Sequence, residues 1–228
     1  MSNCKLRWSE LGLVDYDECF KLMQEFTHHR DSNSEDLILS LEHNPVITVG
    51  PTTQPLNDLD INIPVIKTNR GGKATYHGPG QWILYTLVDL RRLGITASQL
   101  VSILEETVIA SLRVFGIHAY ANPNARGVYI KQQKIASIGI RISKGCSYHG
   151  LSFNLDMDLS PFNAFSVCGN DHLTMTQFSH FQKCNISTIK KIGRDIFLKK
   201  LQMSTQSKIS YTIENSNFEM LYKEKHHA

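Results

Sequence analysis

The strongest constraint on the fold is a near-continuous apolar run at residues 81–90, which reads Gln-Trp-Ile-Leu-Tyr-Thr-Leu-Val-Asp-Leu. Such a run, rich in aromatic and branched side chains, is typical of a β-strand that is buried on both faces. We therefore expect this strand near the centre of a sheet. With 228 residues and 41% hydrophobic content, the chain is long enough to bury a core as one domain, predicted to span 1–228.

A glycine-rich segment leads directly into this strand. It reads Arg70-Gly-Gly-Lys-Ala-Thr-Tyr-His-Gly-Pro-Gly. Its glycines let the backbone approach a ligand closely at both ends of a short β-favouring triplet, Ala-Thr-Tyr. Beside that triplet stand Arg70, Lys73 and His77. His77 has two possible roles: it acts on a ligand, as a base or a hydrogen-bond donor, or it is a structural residue. The pattern indicates a ligand-binding segment that rests against the centre of the sheet.

The other elements mix strands and helices without strict β-α-β alternation, which indicates an α+β domain on a mixed or antiparallel sheet. No Gly-x-Gly-x-x-Gly joins a strand to a helix and no Walker loop is present, which argues against a Rossmann or P-loop fold. Residues 187–228 are predicted to be a peripheral helix and tail. The predicted strands are 6–13, 37–41, 46–49, 61–68, 127–130, 134–142 and 147–155, and the predicted helices are 15–30, 98–115 (capped by Ser98) and 187–201.

Composition narrows the function classes. The chain has no run of 18 apolar residues and its N-terminus lacks the apolar core of a signal peptide, so we expect a cytoplasmic protein that does not span a membrane. The five cysteines are widely spaced, without Cys-x-x-Cys or a Cys/His cluster, so disulfides and a zinc site are not expected. A net charge of +3 does not by itself indicate nucleic-acid binding.

Two residues outside the glycine-rich segment are candidates for chemistry. Lys134 begins a strand in which period-two alternation places it on the face of Ala136, Ile138, Ile140 and Ile142. A partly desolvated lysine amine is more accessible as a base, although a lysine at a strand end can also extend its amine to water. Cys168 lies in a loop-like Val-Cys-Gly step and is either a nucleophilic thiol or an inert small apolar residue.

Four motifs together resemble the octanoyltransferases of lipoate biosynthesis, the LipB family. They are the segment from Arg70 to Gln81, Lys134-Ile-Ala-Ser-Ile-Gly, Tyr148-His-Gly-Leu-Ser-Phe-Asn and Val167-Cys-Gly. Their order and spacing agree with the family from about residue 37 to about residue 178.

The resemblance implies a fold, a reaction and a site. The fold is the biotin/lipoate protein ligase-like catalytic domain, one α/β domain with a mixed sheet. The reaction is transfer of an octanoyl group from octanoyl-acyl carrier protein to the lysine of lipoyl domains in 2-oxoacid dehydrogenase complexes and the glycine cleavage H protein, with no cofactor, metal, nucleic acid or membrane. Cys168 is implied as the acyl-accepting nucleophile and Lys134 as its partner. The implied substrate-binding residues are Arg70, Gly71, Gly72, Lys73, Ala74, Thr75, Tyr76, His77, Ser137, Ile138, Gly139, Gly150, Leu151 and Ser152.

The implied chemistry runs through a thioester on Cys168 and needs no ATP, because the energy stays in the thioester. Backbone amides at 71–72 or 168–169 are candidates for the oxyanion hole, and Ile138, Ile140 and Leu151 for contact with the acyl chain. Acidic partner proteins would be steered by basic residues, for which the candidates are Arg70, Lys73, Arg91, Arg92, Arg141 and Lys144.

Other functions remain open at this point. An ATP-dependent lipoate or biotin protein ligase on the same fold is the nearest, although a ligase has no need of Cys168. A non-catalytic acyl-binding module would keep the glycines and apolar strands without the pair of Cys168 and Lys134. A cysteine hydrolase is disfavoured because no Cys-His-Asn arrangement is evident.

Overall fold

The structure, a computed structural model, describes residues 3–53, 62–165, 173–205, 207–219 and 221. Its strands are β1 (Asn3–Val14), β2 (Asp36–His43), β3 (Val46–Val49), β4 (Val65–Lys67), β5 (Thr75–His77), β6 (Gln81–Leu87), β7 (Tyr120–Ala121), β8 (Val128–Ile130), β9 (Gln133–Ser143), β10 (Cys146–Asn154) and β11 (Lys208–Asn215). Its α-helices are α1 (Tyr16–His29), α2 (Leu90–Leu93), α3 (Ala97–Val114) and α4 (Ile186–Ser204), with short 3₁₀ turns at Ser160–Ala164 and Phe178–His180.

The main sheet has eight strands in the order β11-β1-β2-β6-β10-β9-β8-β7. β1 pairs in parallel with both β11 and β2, and the remaining neighbours pair antiparallel. This confirms the predicted mixed sheet. Every residue of β6 is buried, as expected for a strand covered on both faces.

Two hydrophobic clusters cover the faces of this sheet. On one face, Trp82, Leu84 and Phe153 pack with side chains of α3 and α4, among them Leu104 and Phe197. On the other face, side chains of α1 pack against β2 and β6 in a second cluster that includes Leu22, Met23, Leu39 and Ile83. The domain is therefore layered as helices, sheet and helix, and the alternation of β6 supplies both clusters.

A second, three-stranded sheet in the order β4-β3-β5 carries the glycine-rich segment. β3 pairs with β5 through Val46–His77 and Ile47–Tyr76. The chain then passes from β5 into β6 through Gly80, at φ +83°, where a Cβ would lie 1.8 Å from the carbonyl oxygen of Asp156. Only glycine fits such an approach, and it fixes the segment beside the central strand.

The structure corrects three local predictions. The cap of α3 is Thr96, whose hydroxyl accepts from the Gln99 N–H while the Gln99 side chain accepts from the Thr96 N–H, so Ser98 is not the cap. The strand predicted at 61–68 is the shorter β4, and residue 61 lies outside the described residues. The apolar run at 81–90 ends as a strand at residue 87, since Asp89 caps α2.

The predicted peripheral tail also needs correction. β11 extends the main sheet at its edge, with Cys4 opposite Ile209 and Trp8 opposite Ile213. In α4, the buried face contributes Ile189 and other apolar side chains to the main core. The helix and the strand after it are therefore integral to the layered structure, while the single-domain span of 1–228 stays a prediction.

Candidate active site

A cavity of about 420 Å³ lies between the glycine-rich segment and the strands β9 and β10. All of the predicted substrate-binding residues except Tyr76 line it. The remaining lining residues come from α3, from β6, from β9, from the loop before β8 and from β10, and they are Val101, Tyr85, Asn124, Ala125, Arg126, Lys134, Ile140 and His149. Segments that are far apart in sequence thus form the walls of one cavity.

Close backbone contacts hold the glycine-rich segment over β9. The Gly71 N–H donates to the Ile140 carbonyl at 3.2 Å. A Cβ on Gly139 would lie 2.6 Å from the Gly71 carbonyl oxygen, so a side chain there would push the segment away. Because the Gly71 N–H is already engaged, Gly72 is the better candidate of that pair for an oxyanion donor.

Arg70 holds the glycine-rich segment against β3. Its side chain is buried and donates to the Thr48 carbonyl at 2.7 Å, to the Thr48 hydroxyl and to the Gly71 carbonyl at 3.1 Å. This role corrects the expectation that Arg70 steers partner proteins. Arg92 also has an internal partner, since it donates to the fully buried Asp36 at 2.7 Å. The other four basic residues of that prediction are exposed, namely Lys73, Arg91, Arg141 and Lys144.

Tyr76 points away from the cavity. Its ring packs edge-on against Phe162 at a centroid distance of 5.5 Å, within a small cluster that includes Ile47 and Met157. Its neighbours Thr75 and His77 line the cavity, as strand alternation requires. The structure thus places Tyr76 in packing, in contrast to the predicted substrate contact.

Two neutral histidines and one tyrosine form one end of the cavity. His77 is buried, donates through Nδ1 to Gln81 Oε1 at 2.7 Å and lies 3.3 Å from the Thr48 hydroxyl. Burial, followed by the repulsion that a protonated His77 would meet from a protonated His43, holds the pKa of His77 well below its usual value. The imidazole is therefore neutral near pH 7 and is positioned by its neighbours.

His149 and Tyr85 complete this end. His149 has φ +60° and its Nε2–H donates to Asn69 Oδ1 at 3.0 Å, while burial lowers its pKa to about 3. The Tyr85 hydroxyl donates to Nε2 of His43 at 2.8 Å, and burial raises the pKa of Tyr85 well above its usual value. Around neutral pH this end of the cavity is polar but uncharged except for Arg70.

Lys134 lies on the cavity wall and is 1% exposed. Its Nζ donates to the Arg126 carbonyl at 2.8 Å and lies 5.5 Å from the centroid of the Tyr129 ring. Its backbone forms a parallel bridge, in which the Lys134 N–H donates to the Thr174 carbonyl and the Lys134 carbonyl accepts from the Thr176 N–H. The lysine is therefore held inside the protein, in contrast to one that extends to water.

A β-bulge corrects the predicted orientation of this lysine. Tyr129 pairs with Lys134 and Val128 pairs with Ala136, so Ile135 is an extra residue in β9. Ile135 and Ala136 both belong to the main core, and Ile138, Ile140 and Ile142 pack against it. The bulge therefore separates Lys134 from the isoleucine face and turns it toward Tyr129. Ile138, Ile140 and Leu151, predicted to contact the acyl chain, all line the cavity as well as packing in the core.

Cys168 lies outside the described residues, as does the whole of 166–172. The described residues that flank this segment, Phe165 and Leu173, both pack in the small cluster beneath the three-stranded sheet. From Leu173 the chain runs directly into the bridge with Lys134. The fold therefore ties the chain that follows Cys168 to the backbone of Lys134.

The other cysteines lie elsewhere in the fold. Cys4, Cys19 and Cys146 are buried, Cys184 is partly exposed, and none of the four is among the cavity-lining residues. Burial raises the pKa of both the Cys19 and the Cys146 thiols. Within the described ranges, the structure contains no cluster of His, Cys, Asp and Glu that could hold a metal ion, and no helix long and apolar enough to cross a membrane.

One buried charged residue near the site, Glu105, was not predicted from the sequence. Glu105 is 4% exposed on α3, and its carboxylate accepts from the Gly127 N–H at 3.3 Å. A carboxylate between the apolar positions Leu104 and Val108 of a predicted helix was a visible signal. Asn124, Ala125 and Arg126 were also missed, because nothing in a loop sequence indicates that it closes a distant cavity.

Known proteins resemble this chain in both fold and sequence. The model of the lipoyl protein ligase A/B catalytic domain matches residues 15–202. An octanoyltransferase of Shewanella halifaxensis is 44% identical over 187 residues, which cover 82% of this chain and 84% of that protein. One of Aliivibrio fischeri is 40% identical over 224 residues, covering 95% of this chain and 100% of that protein.

Solved structures share the fold at low sequence identity. A putative lipoate protein ligase of T. acidophilum with bound lipoic acid matches with a TM-score of 0.71 and 16% identity, over 98% of this chain and 94% of that chain. A lipoate-protein ligase A bound with ATP matches with a TM-score of 0.68 and 15% identity, over the same shares of both chains. These likenesses confirm the predicted biotin/lipoate ligase-like catalytic fold. The level of identity to the curated relatives and the extent of the family match establish that this chain is an acyltransferase and belongs to the octanoyltransferase family.

Proposed function

We propose that this protein transfers an octanoyl group from octanoyl-acyl carrier protein to the lysine of lipoyl domains, through a thioester on Cys168. The acceptors would be the lipoyl domains of 2-oxoacid dehydrogenase complexes and the glycine cleavage H protein. The observation that carries the proposal is the buried amine of Lys134 on the cavity wall, with its backbone bridged to the chain that follows the Cys168 motif.

In the first step, the Cys168 thiol gives its proton to the neutral amine of Lys134 and becomes a thiolate. The thiolate attacks the carbonyl carbon of the octanoyl thioester, and the bond to the pantetheine sulfur breaks. The leaving thiolate takes the proton back from the Lys134 ammonium. One thioester has replaced another, so the energy of the acyl bond is kept and no nucleotide is consumed.

In the second step, the neutral lysine amine of the acceptor attacks the carbonyl carbon of the acyl-enzyme. The bond to the Cys168 sulfur breaks, an amide forms, and Lys134 accepts the proton that the attacking amine loses. The cysteine then recovers a proton from Lys134. The cavity would shelter the acyl chain during both steps, which limits hydrolysis of the thioester by water.

The shape of the cavity supports an acyl ligand. Its walls are backbone and small side chains where the glycine-rich segment crosses β9 and β10, and the apolar residues Ile138, Ile140 and Leu151 lie along the same strands. Burial of a chain of methylenes would contribute about 0.8 kcal/mol for each CH₂ that leaves water. Two of the described basic residues are buried at the cavity: Arg70 is engaged with Thr48 and Gly71, and Lys134 donates to the Arg126 carbonyl. The apolar residues of β9 and β10 leave the walls between them suited to an uncharged chain.

The test is acylation without ATP. The protein is incubated with octanoyl-acyl carrier protein, and intact-mass spectrometry is used to look for a hydroxylamine-sensitive octanoyl adduct. We expect the adduct in the unchanged protein and its loss in Cys168→Ser, together with loss of octanoyl transfer to a lipoyl domain. Cys184→Ser is the matched control, because that cysteine is partly exposed and does not line the cavity.

Three results would refute the proposal. One is an adduct that persists in Cys168→Ser, and another is the absence of any adduct in a protein that nonetheless transfers the acyl group. The third is modification of the lipoyl domain only when ATP and free octanoic or lipoic acid are supplied, which would identify a ligase.

A further inference from the structure

A single peptide group connects a buried carboxylate to the Lys134 amine. The Gly127 N–H donates to Glu105 Oε1 at 3.3 Å, and the Arg126 carbonyl accepts from Lys134 Nζ at 2.8 Å. These two groups belong to the same peptide unit, so the carboxylate lies at one end of the peptide and the amine at the other. Arg126 adds a longer ion pair, with Nη1 3.6 Å from Glu105 Oε2.

Hydrogen bonds in such a chain strengthen one another. A carboxylate that accepts from a peptide N–H polarises the peptide and makes its carbonyl oxygen a stronger acceptor. The carbonyl in turn holds the charged form of the lysine more firmly than the neutral form. Because Glu105 and Lys134 are 4% and 1% exposed, water screens this effect only weakly.

We infer that Glu105 is a positioning residue for Lys134: through the Arg126–Gly127 peptide it orients the amine and stabilises the ammonium that forms when the Cys168 proton is transferred. The inference rests on the proposed function only in assigning the proton-transfer role to Lys134. Its consequence is that the thiolate–ammonium pair of Cys168 and Lys134 forms at lower pH when Glu105 is present.

The electrostatic surroundings of Glu105 agree with this role. Burial raises the pKa of Glu105, while the Gly127 N–H and the charges of Arg126 and Lys134 oppose that rise. Among the residues that the structure describes, the charged groups that face the carboxylate are Arg126, from the loop before β8, and Lys134, from β9; the Tyr129 ring of β8 lies against the amine. A buried carboxylate costs stability unless such partners compensate it. Here the compensating peptide N–H of Gly127 belongs to the same peptide unit as the carbonyl that accepts from Lys134 Nζ.

Substitution of Glu105 by glutamine isolates the charge. Glu105→Gln keeps an oxygen that can accept from the Gly127 N–H, and Glu105→Leu removes that acceptor as well. Glu106→Gln is the matched control, since Glu106 is the next residue on α3, is exposed and pairs with Lys200 at the surface. Lys134→Met shows the full effect of losing the amine.

The readout is the pH dependence of Cys168 alkylation by iodoacetamide, followed for the Cys168 peptide by mass spectrometry. In Glu105→Gln we expect the midpoint to move to higher pH by roughly half a unit to one unit, below the one to three units typical of a direct ion-pair partner. Glu105→Leu should move it further, and Glu106→Gln should leave it in place. In the Lys134→Met background, Glu105→Gln should have no additional effect.

The outcomes separate the inference from the proposed function. If Lys134→Met shifts the profile and Glu105→Gln does not, or shifts it to lower pH, the inference is overturned and the pair of Cys168 and Lys134 stands. If Lys134→Met leaves the profile unchanged, the pair itself fails and the inference fails with it. An equal shift from Glu105→Gln in the presence and absence of Lys134 would show that the glutamate acts by another route.

Discussion

Substitution of Gly127 by alanine should disable Lys134 without touching the lysine itself. An alanine Cβ at this position would lie 2.4 Å from Lys134 Cε, 3.0 Å from Lys134 Nζ and 2.6 Å from the Ala136 carbonyl oxygen. Non-bonded carbon atoms prefer separations of about 3.5 to 4.0 Å, so Cε must withdraw by more than about 1 Å. The Ala136 oxygen belongs to the backbone of β9, so the strand cannot yield easily.

The expected losses follow from this displacement. A misplacement of about 1 Å at a reacting group can cost on the order of 100-fold in rate, and we expect formation of the octanoyl adduct to slow by that order in Gly127→Ala. The φ of +138° at Gly127 is also unfavourable for alanine, which should reduce the free energy of unfolding by about 1 to 3 kcal/mol.

Gly116→Ala separates strain from displacement. Gly116 has φ +72°, and a Cβ there would meet nothing within 4 Å. This control should lose about 1 to 2 kcal/mol of stability for the left-handed conformation and keep its rate of acylation. Rates are compared per folded molecule, with folding measured by denaturant titration of each variant. If Gly127→Ala acylates as fast as Gly116→Ala after that correction, the argument from the Lys134 contact is refuted.

Three further predictions concern stability. Thr96→Ala should cost about 1 kcal/mol of unfolding free energy because it removes the capping box of α3, whereas Ser98→Ala should change it by less than about 0.5 kcal/mol; equal effects in urea titrations would contradict the cap assignment. Asp36→Asn should cost about 3 kcal/mol, since it leaves two arginine side chains without their buried carboxylate, and an unchanged midpoint in guanidinium would contradict this. Burial lowers the pKa of His43 to about 4, so the folded state binds the proton more weakly than the unfolded chain does. The resulting contribution to the free energy of unfolding, about 3 kcal/mol, is complete above pH 6.5 and should be lost as the pH falls toward 4. His43→Gln should therefore give a shallower loss of stability in acid, and an unchanged slope would show that His43 does not titrate in this way.

Local patterns in the sequence were sufficient for most of the fold. The buried strand β6, the hairpin of β8 and β9, and the helices α1, α3 and α4 all follow from hydrophobic periodicity, because their burial depends on neighbours that repeat at fixed spacing. β11 was not predicted, although its sequence carries a strand signal: Ile209, Tyr211 and Ile213 alternate with polar residues. What the sequence does not show is that this strand returns to the edge of β1, since that pairing joins segments about 200 residues apart.

The candidate site, like the fold, was predicted only in part from the sequence. The motifs located nearly all of the cavity walls, yet they gave Lys134 the wrong face, because alternation cannot reveal the bulge at Ile135. The capping box at Thr96 and Gln99 has a signature in the sequence, a threonine followed three residues later by a glutamine, and this signature favours Thr96 over Ser98 as the cap. The link from Glu105 to Lys134 could not be foreseen, since it depends on a peptide group that the fold brings against α3 from the next segment of the chain.

The pairing of β11 with β1 has a consequence for the order in which this protein can fold during synthesis. Cys4 lies opposite Ile209, so one edge of β1 stays without its partner until the residues of β11 have left the ribosome. During that interval a twelve-residue strand with an open edge can pair with another nascent chain. Chains that end before residue 208 lack the whole of β11 and keep this edge unpaired, so we expect them to aggregate through β1, which β2, β6 and β10 separate from the Lys134 strand β9.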